Sequence, residues 1–297
     1  MQNPIVTRRM MLGTLALPWL TGCSSPLPLV AAPAGDADAA QRLRASAEAH
    51  GLAAYSELTD INVGYTGQWR PLVGRIQPEV VDAGFRGSSQ ERLMPKAGVS
   101  GQAYTGPQGH KHVWWRRGRG ATEPLGDVAV WFNGVQSNDP AAQQAAALVA
   151  ESYGLLLLGP LWLADRALPM RQAGTERVDG RLCDVIELWL SPGLGRVAAD
   201  RVALCIDRRD NLTRRMRLTL EGFANTQGAV AEVDTFDHER RFGVMWPMRS
   251  FERVLHPIAL PAHDWHLTGL DVNRGYAPQA LMGPDFSGAA IADARLL

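Results

Sequence analysis

The sequence predicts a mainly β, α+β protein built on one large, curved antiparallel sheet with few helices. Short segments alternating apolar and polar residues, punctuated by Gly, Pro or Ser, fill most of the 297 residues. Helical patterning is confined to a few stretches. Two neighbouring segments, 213–221 and 229–240, match both their apolar faces and their opposite charges in one antiparallel register.

In chain order, the first element is an address. Paired Arg8 and Arg9 precede an apolar run from Met10 to Leu20, and Leu20-Thr21-Gly22-Cys23 follows. A spanning helix needs roughly 20 apolar residues, and this run is about half that. A basic start, a short apolar centre and small residues before a cut site read as an export signal over 1–22. Thr7-Arg8-Arg9-Met10-Met11-Leu12 looks like a twin-arginine motif. Leu20-Thr21-Gly22-Cys23 resembles the lipobox of bacterial lipoproteins, which implies a diacylglycerol on the Cys23 sulfur. Residues 23–38, rich in Ser, Pro, Ala and Gly, are expected as a lipidated flexible tether. A single domain over 39–280 and a C-terminal tail over 281–297 follow.

A helix is expected over 39–50, stopped by Gly51. Strands are expected over 57–65, 80–86, 90–94, 101–105, 110–116 and 127–133, with Trp, Tyr, Val and Phe recurring among them. Asp139 caps a second helix over 141–153, with Pro140 at its first position. The apolar run 155–163, split by Gly159-Pro160, continues that helix over something apolar. Glu151 and the Gly-Pro break argue against a membrane span. Further strands are expected over 182–190, 202–207, 213–221, 229–240, 248–255 and 265–272. Gly243 and Pro247 are expected to end the ladder after 240, because proline lacks the donor a central strand needs.

The segment 213–221 is the most explicit. Met216, Leu218 and Leu220 face one way, and Arg215, Arg217 and Glu221 the other. Matching like faces puts Arg217 opposite Glu232, Arg215 opposite Asp234 and Leu218 against Ala231. Each opposite-charge pair contributes about 0.2–1 kcal/mol.

Chemistry is sparse. With 30 basic and 30 acidic residues and no basic tract, nucleic acid is not an expected partner. Gly193-Leu194-Gly195-Arg196-Val197-Ala198 fits a dinucleotide fingerprint, but the next strand begins too soon for the helix that fingerprint requires. His238-Glu239 lacks the second histidine of a zincin. No G-x-S-x-G elbow, P-loop or Cys-x-x-Cys occurs. His256, His263 and His266, with Asp264 beside them, form a group that metal chemistry would suit, as would His110 and His112 on one strand face. Cys183 and Cys205, exported, either pair as a disulfide or stay as separate buried thiols. No cofactor is expected.

The run VDGRLCDVIELWLSPG, then DRVALCIDRRDNLTRRMRLTLEG, then FGVMWP, resembles the lipoprotein-localisation fold of LolA and LolB. The shared features are a segment ending Val178-Asp179-Gly180, two strands, an Asp207-x-x-x-Asn211-Leu212 turn and the Gly243…Pro247 break. The resemblance is best over 139–276. It implies an incomplete, strongly curved antiparallel barrel closed by helices, holding acyl chains and carrying no catalytic residues. A broad concave face cannot be filled by one layer of its own side chains, which leaves a groove or cavity.

The functional expectation is a lipid-anchored envelope protein binding an acyl chain or lipoprotein lipid, facing the periplasm from the outer membrane as Ser24 after Cys23 suits. Leu156, Trp162, Met216, Leu218, Leu220 and Trp265 are the expected lining, and 155–163 a lid or plug. Its partners are the apolar ligand, the membrane through the anchor, and an envelope protein of unspecified identity. The alternatives are a metal-assisted hydrolase using His256, His263 and His266, or a structural envelope lipoprotein with a filled interior.

Overall fold

The computed structural model describes residues 26–286, apart from 29, 119–122, 124, 224–227 and 257. Arg8, Arg9, Cys23 and Ser24 lie outside the described residues, as do 287–297 of the expected tail.

Two meanders make one sheet. The first comprises β1 (Ile61–Trp69), β2 (Ser88–Met94), β3 (Val99–Gly106), β4 (Gly109–Arg116), β5 (Asp127–Phe132) and β6 (Val135–Ser137). The second comprises β7 (Met170–Val178), β8 (Arg181–Leu190), β9 (Asp200–Asp207), β10 (Thr213–Thr219), β11 (Val230–Arg241), β12 (Val244–Val254) and β13 (Leu260–Val272). Within each meander successive strands pair antiparallel, and β13 returns to pair with β1, giving the order β6-β5-β4-β3-β2-β1-β13-β12-β11-β10-β9-β8-β7. A sheet this wide must curl because each strand pair adds twist. β6 and β7 stay unjoined, so the barrel is incomplete.

Six helices accompany it among the described residues: α1 (Ala37–His50), α2 (Leu52–Ser56), α3 (Pro71–Ile76), α4 (Pro78–Val81), α5 (Pro140–Leu158) and α6 (Pro160–Leu163). Asp36 caps α1 by accepting from the Ala39 N–H. Asp139 caps α5 by accepting from Ala141 and Ala142, with Pro140 at its start. Among the described residues no helix is long and apolar enough to cross a membrane.

The tight hairpins follow from local chemistry. Asp179 and Gly180 (φ 47° and 73°) join β7 to β8, and Phe242 and Gly243 (φ 51° and 77°) join β11 to β12. Two residues with positive φ make the mirror-image turn whose twist suits flanking strands. β10 and β11 pair Arg215 with Asp234, Arg217 with Glu232 and Leu218 with Ala231. The loop that joins them, 224–227, lies outside the described residues.

Several elements differ from expectation. The segment 80–86 is no strand: Pro78 starts α4, and Asp82 (φ 47°) turns the chain after it. The first strand begins at Ile61, after the short α2, and runs on to Trp69. β7 is absent from the expected strands because it is an edge strand exposed over most of its length, with no apolar alternation to announce it. Pro247 does not end the ladder; it lies within β12 opposite His238. There β11 is its ladder partner, since β13 joins β12 only over 249–254.

Both chain ends of the described region pack onto the outer face. Leu27 is 2% exposed and lies among Val178, Cys183, Val185, Ala203, Cys205 and Val230. Trp189 Nε1 donates to the Val30 carbonyl at 2.8 Å, and Arg201 donates to that of Pro28. Leu27, Pro28 and Val30 are therefore docked on the sheet, within the segment 23–38 expected as a tether. At the other end Leu281 and Phe286 are buried against Met94 and Val99, so the packed domain extends past residue 280.

Candidate functional site

Helix α5 lies within the hollow of the sheet. Every residue from 145 to 158 is buried, which is why the helix is apolar on all sides. Leu155–Leu158 and the α6 residues Leu161, Trp162 and Leu163 share one core with Ile186, Leu188, Leu204, Met216, Leu218 and Val233. The run 155–163 thus plugs the part of the hollow above β8–β11. Met216 and Leu218 do face inward, but onto this plug, and Leu220 is half-buried against it. These three are not among the walls of the main cavity. Leu156 and Trp265 border a slot of about 10 Å³ beside Tyr65 and Tyr153.

The hollow stays open on the side of α5 and α6 that faces β2 and β3. A cavity of about 300 Å³ lies between α2, β2, β3 and the α5–α6 junction, with Leu58, Leu93, Val99, Trp115, Leu158 and Leu161 among its walls and Trp162 at its edge. Inner-face register assembles the sheet side of it: Leu93 stands opposite Ser100, and Ser100 opposite Trp115. Gly154 of α5 keeps the space clear, since a Cβ there would stand 3.2 Å from Leu93 Cδ2 and 3.8 Å from Trp162 Nε1.

A polar cluster closes the same cavity. Glu151, 3% exposed, accepts from Arg117 Nε at 2.8 Å and from the Gly195 N–H at 2.7 Å. Gly195 (φ 63°) reaches α5 because it lacks a side chain; a Cβ would meet the Leu148 nitrogen at 2.6 Å. The glycine-rich loop 193–198 therefore docks a helix and satisfies a buried carboxylate. Arg166 stacks on Trp162, its Cζ 3.3 Å from the ring centroid, and Arg117 lies 4.5 Å from the same ring. Burial, reinforced by Arg117, pushes the Arg166 guanidinium down to about 9.

A second constellation centres on Arg86, 7% exposed. Its guanidinium lies 5.0–5.3 Å from the rings of Trp69, Tyr104 and Tyr153 and donates to the Tyr153 hydroxyl at 2.9 Å. His263 Nδ1 is 3.0 Å from that hydroxyl, and its ring stacks on Trp69 at 4.0 Å and on Trp265 at 4.8 Å. Burial, with Arg86 nearby, pushes His263 down to about 2 and keeps it neutral. Glu252, opposite His263 in the ladder, is raised by burial to about 7, with Arg86 working the other way.

Two histidines of the metal alternative, His263 and His266, stand on opposite faces of β13. His263 is sealed between aromatic rings on the inner face. His266 pairs with Arg249 one residue out of phase with that face, and it is exposed. Among the described residues no three His, Cys, Asp or Glu side chains converge to hold a metal ion. That applies equally to His110, whose Nδ1 lies 3.2 Å from Thr105 Oγ1, and to His112. Cys183 and Cys205 are free, buried thiols; the β8–β9 register pairs Cys183 with Asp207 and Val185 with Cys205.

On the outer face of β10, Arg215 and Arg217 contact Asp234 at 2.5 Å and Glu232 at 2.7 Å, and both reach Glu176 of β7. Sequence reasoning does not reach Arg86, Arg117 or Arg166, which come from loops far from their partners. A signal exists for one: Glu151 is a lone acid within an apolar helix and needs a distant cation.

No family model and no curated protein matches the chain. Solved structures do. A DUF1329 family protein from Desulfovibrio piger aligns with a TM-score of 0.50 at 11% identity, covering 83% of this chain and 98% of that one. A LolA superfamily protein from Nitrosomonas europaea aligns with a TM-score of 0.50 at 12% identity, covering 82% and 97%. These alignments run over nearly the whole of those chains and give this protein a LolA-like fold.

Proposed function

We propose that this protein is an exported, lipid-anchored envelope protein that holds an apolar ligand, an acyl chain or the lipid part of a lipoprotein, between its sheet and helix α5. The observation that carries the reading is the apolar-walled cavity of about 300 Å³ left open beneath α5 and α6. That is the low end of the roughly 300–1,000 Å³ range of small-molecule sites. It has room for about ten water-sized groups, enough for one chain segment and too little for several whole tails.

The LolA-like fold supports a carrier over a hydrolase, and the sealed setting of His263 supports it further. Cys23 supplies the anchor in this reading, and Ser24 directs the protein to the outer membrane with its domain in the periplasm. The delivering or receiving partner is another envelope protein.

Native mass spectrometry of the intact protein, extracted from membranes, tests the cavity. Co-purifying acyl lipid beyond the mass of the anchor is expected. A well-folded protein that arrives empty and takes up no fatty-acyl probe would sink the reading.

A further inference from the structure

The cavity is not apolar throughout, and its polar wall is unbalanced. Arg117, Arg166 and Lys96 border it, against Glu151 and Asp165. Glu151 is already engaged at both oxygens, by Arg117 and by the Gly195 N–H. Asp165 is exposed. Arg166 is left with an ion pair at 4.0 Å to Glu151, and its Nη2 is buried without a hydrogen-bond acceptor. A buried donor of that kind is stable only if something accepts from it.

The two guanidiniums are also held in place. Both lie over the ring of Trp162, Arg117 with its Nε already on Glu151 and Arg166 with its Nη2 lacking an acceptor. Edge donors from two fixed guanidiniums suit a carboxylate or phosphate. The apolar walls Leu93, Val99, Leu158 and Leu161 line the same continuous space. Arg86 offers a contrast: its Nε is orphaned too, but the space beside it is about 20 Å³, no more than a water requires.

We propose that the cavity takes an anionic amphiphile, with its carboxylate or phosphate head at Arg166 and Arg117 and its chain along the apolar walls. This rests on the cavity reading given above and adds the head group. Desolvation of Arg166 agrees with it: a cation pushed down by burial and by a neighbouring arginine gains most from a bound anion.

Calorimetric titration of the intact, delipidated protein with decanoate, decyl phosphate and decanol tests the proposal. The anionic probes are expected to bind at least about tenfold tighter than decanol, the ratio that one charge-assisted hydrogen bond provides. In Arg166→Gln that advantage shrinks to about twofold or less with decanol binding unchanged, whereas Arg166→Lys, which keeps the charge, retains part of it. Acetate and inorganic phosphate alone are expected not to displace decanoate. Equal affinity of wild-type protein for decanoate and decanol would overturn the head-group assignment while leaving the cavity intact. Displacement by inorganic phosphate as effective as by decanoate would reduce the site to one for bare anions and overturn the amphiphile. Binding of none of the three probes would overturn the cavity reading itself.

Discussion

On the outer face of β10, Arg217 donates to Glu232 and Glu176 at 2.7 Å each, while Arg253 donates to Glu232 at 2.9 Å and also to Asp234. Three arginines and three carboxylates share this network, each mostly shielded, with side chains 6–27% exposed. Arg217→Met leaves Glu176 and Glu232 partly covered by the remaining arginines. The expected loss is about 1–3 kcal/mol in urea unfolding, between the values for exposed and for buried pairs. The glutamates also set opposite pH trends. Burial works against ionised Glu176, but hydrogen bonds and charge from Arg217 and Arg215 outweigh it and hold the carboxyl below its ordinary value. Its contribution is therefore present above that ordinary value of 4.5 and is lost as pH falls through the folded-state value. Glu252 runs the other way. With its carboxyl raised from 4.5 to about 7 by burial, the folded state holds the proton more tightly, so stability falls as pH rises through that window. Glu252→Gln should leave stability flatter across that range and higher than wild type above about pH 7. Thermal melts of both proteins across the window check this, and a parallel fall in the two would exclude Glu252 as the source.

Elements were legible in the sequence where side-chain chemistry restricts the backbone, and β7 escaped because it lacks such a pattern. The β10–β11 hairpin could be read because its charges stand on a shielded but outward face, where pairing restricts register. The Asp139 cap was readable for a similar reason, since only a few side chains can satisfy the free amides of a helix start. The C-terminal half of α5, buried on every side, has no period of its own and is expected as helix only as the continuation of the capped segment before it. β7 shows the reverse case, exposed along most of its length. Met216 and Leu218, expected as lining, do not border the cavity of about 300 Å³ for a third reason. Alternation tells which face Met216 and Leu218 use, but not that Leu155–Leu158 of α5 already covers it. Two substitutions in α5 separate its roles. Asp139→Ala removes two cap acceptances and should cost about 1 kcal/mol in stability without changing ligand uptake. Gly154→Leu, with its side chain aimed at Leu93 and Trp162, should instead occupy the cavity and abolish fatty-acyl binding. Retained uptake by a folded Gly154→Leu variant would place the ligand elsewhere.

Across the whole molecule the two meanders meet at one seam, β1 against β13, and the segments flanking the domain are fastened to the outer face of the sheet. Residues 274–286 cover the first meander, with Tyr276 3.3 Å from the Arg92 guanidinium and Phe286 buried. Leu27, Pro28 and Val30 lie on the second. Leu27 is four residue steps from Cys23, and a fully extended chain covers at most about 14 Å over that distance. If Cys23 carries the lipid proposed here, the outer face of β8 and β9 is held within that distance of the bilayer instead of swinging on a long linker. The premise of that geometry is that Leu27 is a core residue of the folded domain, and it can be tested without any lipid. Leu27 is 2% exposed among Val178, Val185 and the two buried cysteines. Leu27→Ala should therefore lower stability by about 2–3 kcal/mol, as a leucine lost from a packed site does. A residue in a free tether would change stability by no more than about 0.5 kcal/mol. Urea unfolding of the wild-type and Leu27→Ala proteins distinguishes the two, and limited proteolysis provides a second readout. Cleavage within 26–36 should be slow in wild type and fast in the variant, and equal rates would mean that the strap does not hold.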